Sequence, residues 1–241
     1  MHPALEATGA ATAFLAAGGY AYAAMWPTSQ LFGRVIVAGR DPQEFALTYD
    51  DGPNEIYTQQ LLDVLAKHHV RATFFLIGRF VRQRPQIARA VLDAGHLVGN
   101  HTMTHPALLF RSPRRAKQEL IDCNAALEDT LGAPVRYFRP PHGARRPDVL
   151  RAARELGLAP VLWNAMGYDW RRSATASTIQ AHLQADIRKN QGHGAGSNLL
   201  LHDGGQARLG LDRSHTVAAT AALVPEAKAQ GVRFVTVDAW A

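Results

Sequence analysis

The sequence predicts a barrel-like α/β domain, and three observations predict it. Short apolar runs alternate with amphipathic helical stretches seven times beyond residue 40. The runs are continuous in hydrophobicity rather than alternating, as parallel strands covered on both faces require. Chemically active side chains also stand at the C-terminal end of one run after another, where a barrel assembles its active site. Seven alternations fall one short of the usual eight, and no internal repeat or low-complexity linker divides them.

The elements follow in order. Residues 1–40 form an apolar N-terminal segment, expected to be a membrane anchor, a signal or an arm packed on the domain that occupies 41–241. Its one charged residue up to Gly33 is Glu6, and the run 10–26 is uncharged, Ala-rich and carries Phe14, Leu15, Tyr20, Tyr22 and Trp26. A membrane span wants about 20 strongly apolar residues, and a signal peptide wants preceding Lys or Arg; this run has neither. Tyr20 to Trp26 would suit an interfacial belt. The first strand is expected at 44–49 and a helix at 57–69, then a strand at 72–77, in which Phe74-Phe75 is core, and a helix at 85–94. A short strand at 97–99 precedes the long amphipathic stretch 112–131. Strands at 136–139, 161–163, 198–201 and 233–237 complete the set, with helices at 147–156, 175–189 and 213–229.

Composition agrees. A chain of 241 residues buries one full core and is too short for two generous domains. At 47% hydrophobic and 19% charged residues it is neither disordered nor fibrous. The single cysteine, Cys123, excludes an intrachain disulfide framework and is expected to pack on a helix. The net charge of +6 is spread over pairs such as Arg114-Arg115, Arg145-Arg146 and Arg171-Arg172, without a long basic run. Nucleic acid is therefore not the expected partner, and cell-wall polymers or lipid headgroups suit the charge as well.

At the strand ends stand Asp50-Asp51, His101, Arg139, Asp169 and His202. His101 and His105 are four apart, so one turn or a compact loop brings both imidazoles to one point. With one carboxylate from Asp50-Asp51 they make a two-histidine, one-carboxylate site with a position left for water, compatible with zinc or another divalent metal. Capping a loop is the plain alternative for the histidines, and a simple turn is the alternative for Asp50-Asp51-Gly52-Pro53. Two adjacent carboxylates resist sharing full charge, so a metal beside Asp51 and an arginine beside Asp50 is the expected division. Asp203 is expected either to touch the site or to form a turn with Gly204-Gly205. His68-His69 fits a helix C-terminus; His182, His193 and His215 belong to no constellation; Trp163 and Trp240 suit the core.

Taken together, Thr48-Tyr-Asp-Asp-Gly-Pro53, His101-Thr-Met-Thr-His105, Arg139-Pro-Pro-His-Gly143, Asp169-Trp170 and Leu199-Leu-Leu-His202 resemble the five ordered motifs of polysaccharide deacetylases of the NodB-like, carbohydrate esterase family 4 type. The resemblance spans 45–237. It implies a distorted (β/α)7 TIM-like barrel and metal-dependent removal of N-acetyl, sometimes O-acetyl, groups from glycans. It implies Asp50 as general base, Asp51, His101 and His105 as metal ligands, Arg139 orienting Asp50 and favouring its ionised form, His202 as general acid and Asp169 holding His202. Pro140, His142, Trp170 and Leu200 would face substrate, with the His142 N–H assisting the oxyanion. Two positions depart from the pattern: His142 where aromatic residues are common, and Met166 where another Asp is frequent.

The chemistry is coherent without the resemblance. An amide needs a polarised carbonyl and a protonated leaving nitrogen, which a divalent metal, an Asp base and a His acid supply together. Zn2+ is the expected ion, with Co2+, Ni2+ or Mn2+ as alternatives, and an N-acetylated glycan, peptidoglycan or chitin-like, is the expected substrate. A deacylase of a lipid-linked sugar or of a small non-glycan amide is the runner-up. A glycan-binding protein that retains the site is a third reading, disfavoured because binding needs neither base nor acid. A cell-envelope location is expected, with the cytoplasm as the alternative.

Overall fold

The computed structural model describes residues 17–241. A single parallel sheet curls through them, in the spatial order β5-β4-β3-β2-β1-β7-β6, with β8 paired to β1. Its strands are β1 (Glu44–Gly52), β2 (Thr73–Leu76), β3 (Leu97–Asn100), β4 (Tyr137–Phe138), β5 (Ala159–Pro160), β6 (Ala165–Met166), β7 (Ser197–His202) and β8 (Arg233–Phe234). Helices α1 (17–25), α2 (Tyr57–Lys67), α3 (Gly78–Gln83), α4 (Pro85–Asp93), α5 (Pro113–Leu131), α6 (Pro147–Glu155), α7 (Ala176–Gly192) and α8 (Ser214–Ala229) surround it. This is the barrel-like α/β fold that the alternation of runs predicts, distorted as the resemblance implies, and the structure leaves it open on one side.

The longest strand lies at the centre because its sequence allows nothing else. From Phe45 to Gly52 every residue of β1 is buried, with β7 along one side and β8, then β2, along the other. The sheet edges are β5 and β6, joined by only four residues. A parallel pair needs a crossover of a dozen or more, so the two cannot pair and the barrel stays open between them. Hence the run expected as a strand at 161–163 is the link across this seam: the Val161 N–H still donates to the Phe138 carbonyl at 2.8 Å, while Val161 forms an isolated bridge with Ile36 and the Leu162 N–H donates to the Ile36 carbonyl at 2.8 Å. Val35, Leu150, Leu162, Trp163 and Leu200 form a separate apolar cluster there, with Phe32, Val37 and Met166 packed on it.

Helix ends follow local chemistry. Ser112 caps α5 by accepting from the Arg115 N–H at 3.3 Å, Pro113 opens it, and Gly132 closes it at φ 64°. A reciprocal Thr175–Thr178 capping box starts α7. Helix α2 ends at Lys67, with His68 as C-cap, and the expected strand at 233–237 stops at Phe234 because residues 237–240 turn into a 3₁₀ helix. Cys123 is buried on α5 within the main core.

Of the apolar run 10–26, residues 10–16 lie outside those described. Among the described residues no helix is long and apolar enough to cross a membrane. Helix α1 buries Ala23 and Ala24 and leaves Tyr20, Tyr22 and Met25 about half exposed, as is Trp26 just after it.

Candidate active site

A β-bulge aims the site. In the β1–β2 register Asp50 pairs with Phe75 and Gly52 with Leu76, so Asp51 is the unpaired extra residue, at φ 72°. In a regular strand successive side chains point to opposite faces; the bulge re-aims one of them, and both Asp50 and Asp51 line one cavity. Thr102, His105, His142 and Tyr168 also have positive φ, a conformation that bulky side chains adopt only under tertiary constraint. All of these lie in loops at the C-terminal rim.

Asp51, His101 and His105 offer ligand atoms that all lie within 4.8 Å of one another. Asp51 Oδ1 is 3.5 Å from His101 Nε2 and 3.2 Å from His105 Nε2, and this buried oxygen has no hydrogen-bond partner. His101 Nδ1 lies 2.8 Å from the Arg139 carbonyl; donating there leaves the Nε2 lone pair facing Asp51. Burial, then the neighbouring His101, pulls His105 down to about 3, so its ring is neutral at physiological pH. Burial works against charge on Asp51, yet the neighbouring His101 and His202 hold it below the usual carboxylate range. An unpartnered carboxylate oxygen and two imidazole nitrogens converging on one point suit a divalent cation.

Asp50 has a different partner. Its Oδ1 accepts from Arg139 Nη1 at 2.9 Å, while Oδ2 stands 3.7 Å from His101 Nε2. Arg139 is fully buried between aromatic rings, its guanidinium carbon 4.2 Å from the Phe75 ring centre and 5.5 Å from that of Trp163. It also donates to Thr48 Oγ1 at 2.8 Å and to the Leu162 carbonyl at 3.3 Å. Burial lowers its pKa and the charge of Asp50 opposes that shift.

Across the cavity, His202 Nδ1 meets Asp169 Oδ1 at 2.7 Å, and the His202 N–H donates to Asp169 Oδ2 at 2.7 Å. Thr216 Oγ1 donates to the same Oδ2 at 2.7 Å, and Arg213 reaches the Asp169 carbonyl at 3.3 Å. Burial opposes protonation of His202, but the charge and hydrogen bond of Asp169, with Asp51 and Asp50 beyond, push its pKa to about 9. Burial likewise opposes ionisation of Asp169, and the charge of His202 outweighs it.

The cavity between these pairs has a volume of about 540 Å³. His142 and Trp170 stand at its mouth, with ring centres 4.8 Å from His105 and 5.2 Å from His202. Leu200, Trp163 and Met166 make an apolar wall. Of the residues singled out in the sequence, Pro140 is not part of the lining: it is buried behind His142, its carbonyl accepting the Gly143 N–H at 2.9 Å. Arg139 and Asp169 do not line the cavity either: they stand behind Asp50 and His202 and bond to them. Trp163 belongs to the wall as well as the core. Gly143 is required there, because a Cβ would lie 2.7 Å from the Trp163 ring.

Arg213, Thr216, Asn198 and Thr48 complete the supporting bonds without any local motif to mark them. Asp203 is fully buried, accepts from Thr58 Oγ1 at 2.5 Å and packs against Gly52; burial raises its pKa to about 7. It supports the Asp51 turn from beneath and does not line the cavity.

Comparison with known proteins follows the same outline. The family model described as polysaccharide deacetylase matches residues 38–161. A peptidoglycan-N-acetylglucosamine deacetylase of Bacillus cereus is 39% identical over 195 residues, covering 80% of this chain and 85% of that one. A chitooligosaccharide deacetylase of Sinorhizobium fredii is 40% identical over 185 residues, covering 74% and 83%. Among solved structures, the Bc1960 peptidoglycan N-acetylglucosamine deacetylase superposes with a TM-score of 0.76 at 29% identity, over 86% of this chain and 91% of the other. The BA3943 pseudoenzyme of Bacillus anthracis superposes at 0.73 and 27%, over 82% and 65%.

Proposed function

The chain belongs to the polysaccharide deacetylase family, and on that premise we propose how its residues divide the hydrolysis of an N-acetyl amino sugar. The protein is a metal-dependent deacetylase of amino-sugar glycans. The observation that carries the reading is the unpartnered Asp51 oxygen between two imidazole nitrogens, flanked in one cavity by an Asp–Arg pair and a His–Asp pair.

Asp51, His101 and His105 would hold a divalent cation, which would supply Lewis acidity to the acetyl carbonyl and lower the pKa of water; two imidazoles and a carboxylate favour zinc, with cobalt, nickel or manganese as alternatives. Arg139 fixes one oxygen of Asp50 and leaves the other to take a proton from the attacking water. The tetrahedral carbon then collapses, its C–N bond breaks, and acetate leaves. His202, tethered through Nδ1, presents Nε2 to the cavity and gives its proton to the departing nitrogen. Asp169 keeps that ring oriented and charged. Leu200, Trp163 and Met166 receive the acetyl methyl. His142 and Trp170 border the sugar, and the His142 N–H assists the developing oxyanion. Each acid or base contributes roughly 10²–10⁴-fold.

The glycan is a peptidoglycan or chitin-like chain, and the cell envelope is where such a chain is met. The test is acetate release from acetylated chitooligosaccharides, peptidoglycan and small N-acyl amides, with stripped protein before and after metal is restored. Metal-restored turnover on the glycans supports the reading. Turnover confined to small amides overturns the glycan assignment.

A further inference from the structure

The rim around His142 carries a surface that the hydrolysis does not use. Arg145, almost fully buried, donates to the Trp26 carbonyl at 2.7 Å and the Ser29 carbonyl at 2.9 Å, and also to the Gly143 carbonyl at 3.1 Å. Its neighbour Arg146 donates to the Leu109 carbonyl at 3.0 Å and the Arg111 carbonyl at 2.8 Å. Two segments are thereby pinned to the loop that carries His142 at the cavity mouth. Both expose large apolar side chains. Phe110 is 85% exposed, Leu31 70% and Trp26 55%, and Tyr22 stacks on Trp26 with ring centres 6.0 Å apart.

The charge around them is predominantly positive, with Asp148 taken up by Arg146 at 2.9 Å. Residues 17–40, 105–118 and 139–147 contain no Asp or Glu. Arg111, Arg114 and Arg115 are exposed; Arg115 meets Glu119 at 3.7 Å, and Arg111 and Arg114 enter no ion pair among the described residues. Exposed apolar groups contiguous with unpaired arginines mark an interaction surface. The amides of Gln30 and Gln118 are engaged by the Val35 backbone and by Asp122, and aromatic rings beside unpaired arginines match an anionic lipid interface better than a saccharide.

We infer that this face docks peripherally on an anionic lipid bilayer, with Trp26, Leu31 and Phe110 entering the headgroup region and Arg111 and Arg114 on lipid phosphates, so that the cavity mouth opens beside the membrane surface. The docking surface includes no membrane-spanning helix among the described residues. The inference is independent of the catalytic roles, since none of these five side chains lines the cavity.

The experiment is co-sedimentation of the full chain with vesicles of phosphatidylcholine alone or mixed with phosphatidylglycerol. The chain is compared with F110S, with W26S and with the double variant R111E/R114E, and turnover of a soluble acetylated oligosaccharide serves as the measure of folding. The expected result is binding to the anionic vesicles that weakens with salt and falls about tenfold in each variant, with turnover unchanged. Absence of binding, or binding that all three variants leave intact, overturns the inference. So does a rise in KM for long glycan chains with vesicle binding unaffected, which would give the surface to the polymer instead.

Discussion

Asp50 and Asp51 are neighbours with different partners, Arg139 for one and two histidines for the other, and the proposed division of roles rests on that difference. Asp50→Asn keeps the cation-binding trio and removes the base: bound metal is expected to stay while turnover falls about 10²–10⁴-fold, read by metal content and acetate release. Asp51→Asn or His101→Ala should lose metal and activity together; unchanged metal affinity would end the ligand assignment. On the alkaline side, the activity limb belongs to His202, held near 9 by Asp169 against burial. Asp169→Asn should move that limb to lower pH in a kcat/KM profile. In the metal-free protein the same shift enters stability. Folding raises this histidine from 6.5 to about 9, so its contribution is full below about pH 6.5 and fades as pH climbs through 9, which denaturant titrations at several pH values would detect. The spacing of His101 and His105, and the acids ending a strand, were legible as residues. Arg213 and Thr216 were not, because a buried arginine or threonine contacting a distant backbone leaves no local pattern.

At the scale of elements, the bulge in β1 is what lets two adjacent acids serve one cavity. Its geometry depends on Gly52, where a Cβ would stand 2.2 Å from the Asp203 carboxylate. Gly52→Ala is therefore expected to destabilise the fold by about 1–3 kcal/mol and to weaken metal binding, measured by thermal melts and by titration with the ion. Strands β1 and β7 were readable because long apolar runs have no alternative to burial. Strands β5 and β6 were not, because two-residue strands are set by neighbouring chains rather than by propensity. The expected strand at 161–163 failed for that reason: Val161 keeps one bond to Phe138 of β4, and beyond it the run crosses the seam instead of extending the sheet.

Over the whole molecule, the open seam makes the N-terminal segment part of the domain. Val35 and Ile36 are buried against it, each worth about 1.5–3 kcal/mol at most. A chain beginning at residue 38, where the family match starts, should melt at lower temperature and lose turnover through the Leu200–Trp163 wall; an unchanged melt would show the strap to be dispensable. By itself the sequence determined the class of fold, the order of its longer elements and the identity of the groups able to do the chemistry, because burial periodicity and residue type are local properties. Tertiary structure alone decided which atoms meet: Arg139 on Asp50, Asp169 on His202, Asp203 beneath the bulge and the N-terminal strap over the seam. Those pairings join residues far apart in the chain, and a pKa or a ligand geometry is a property of the distance between them.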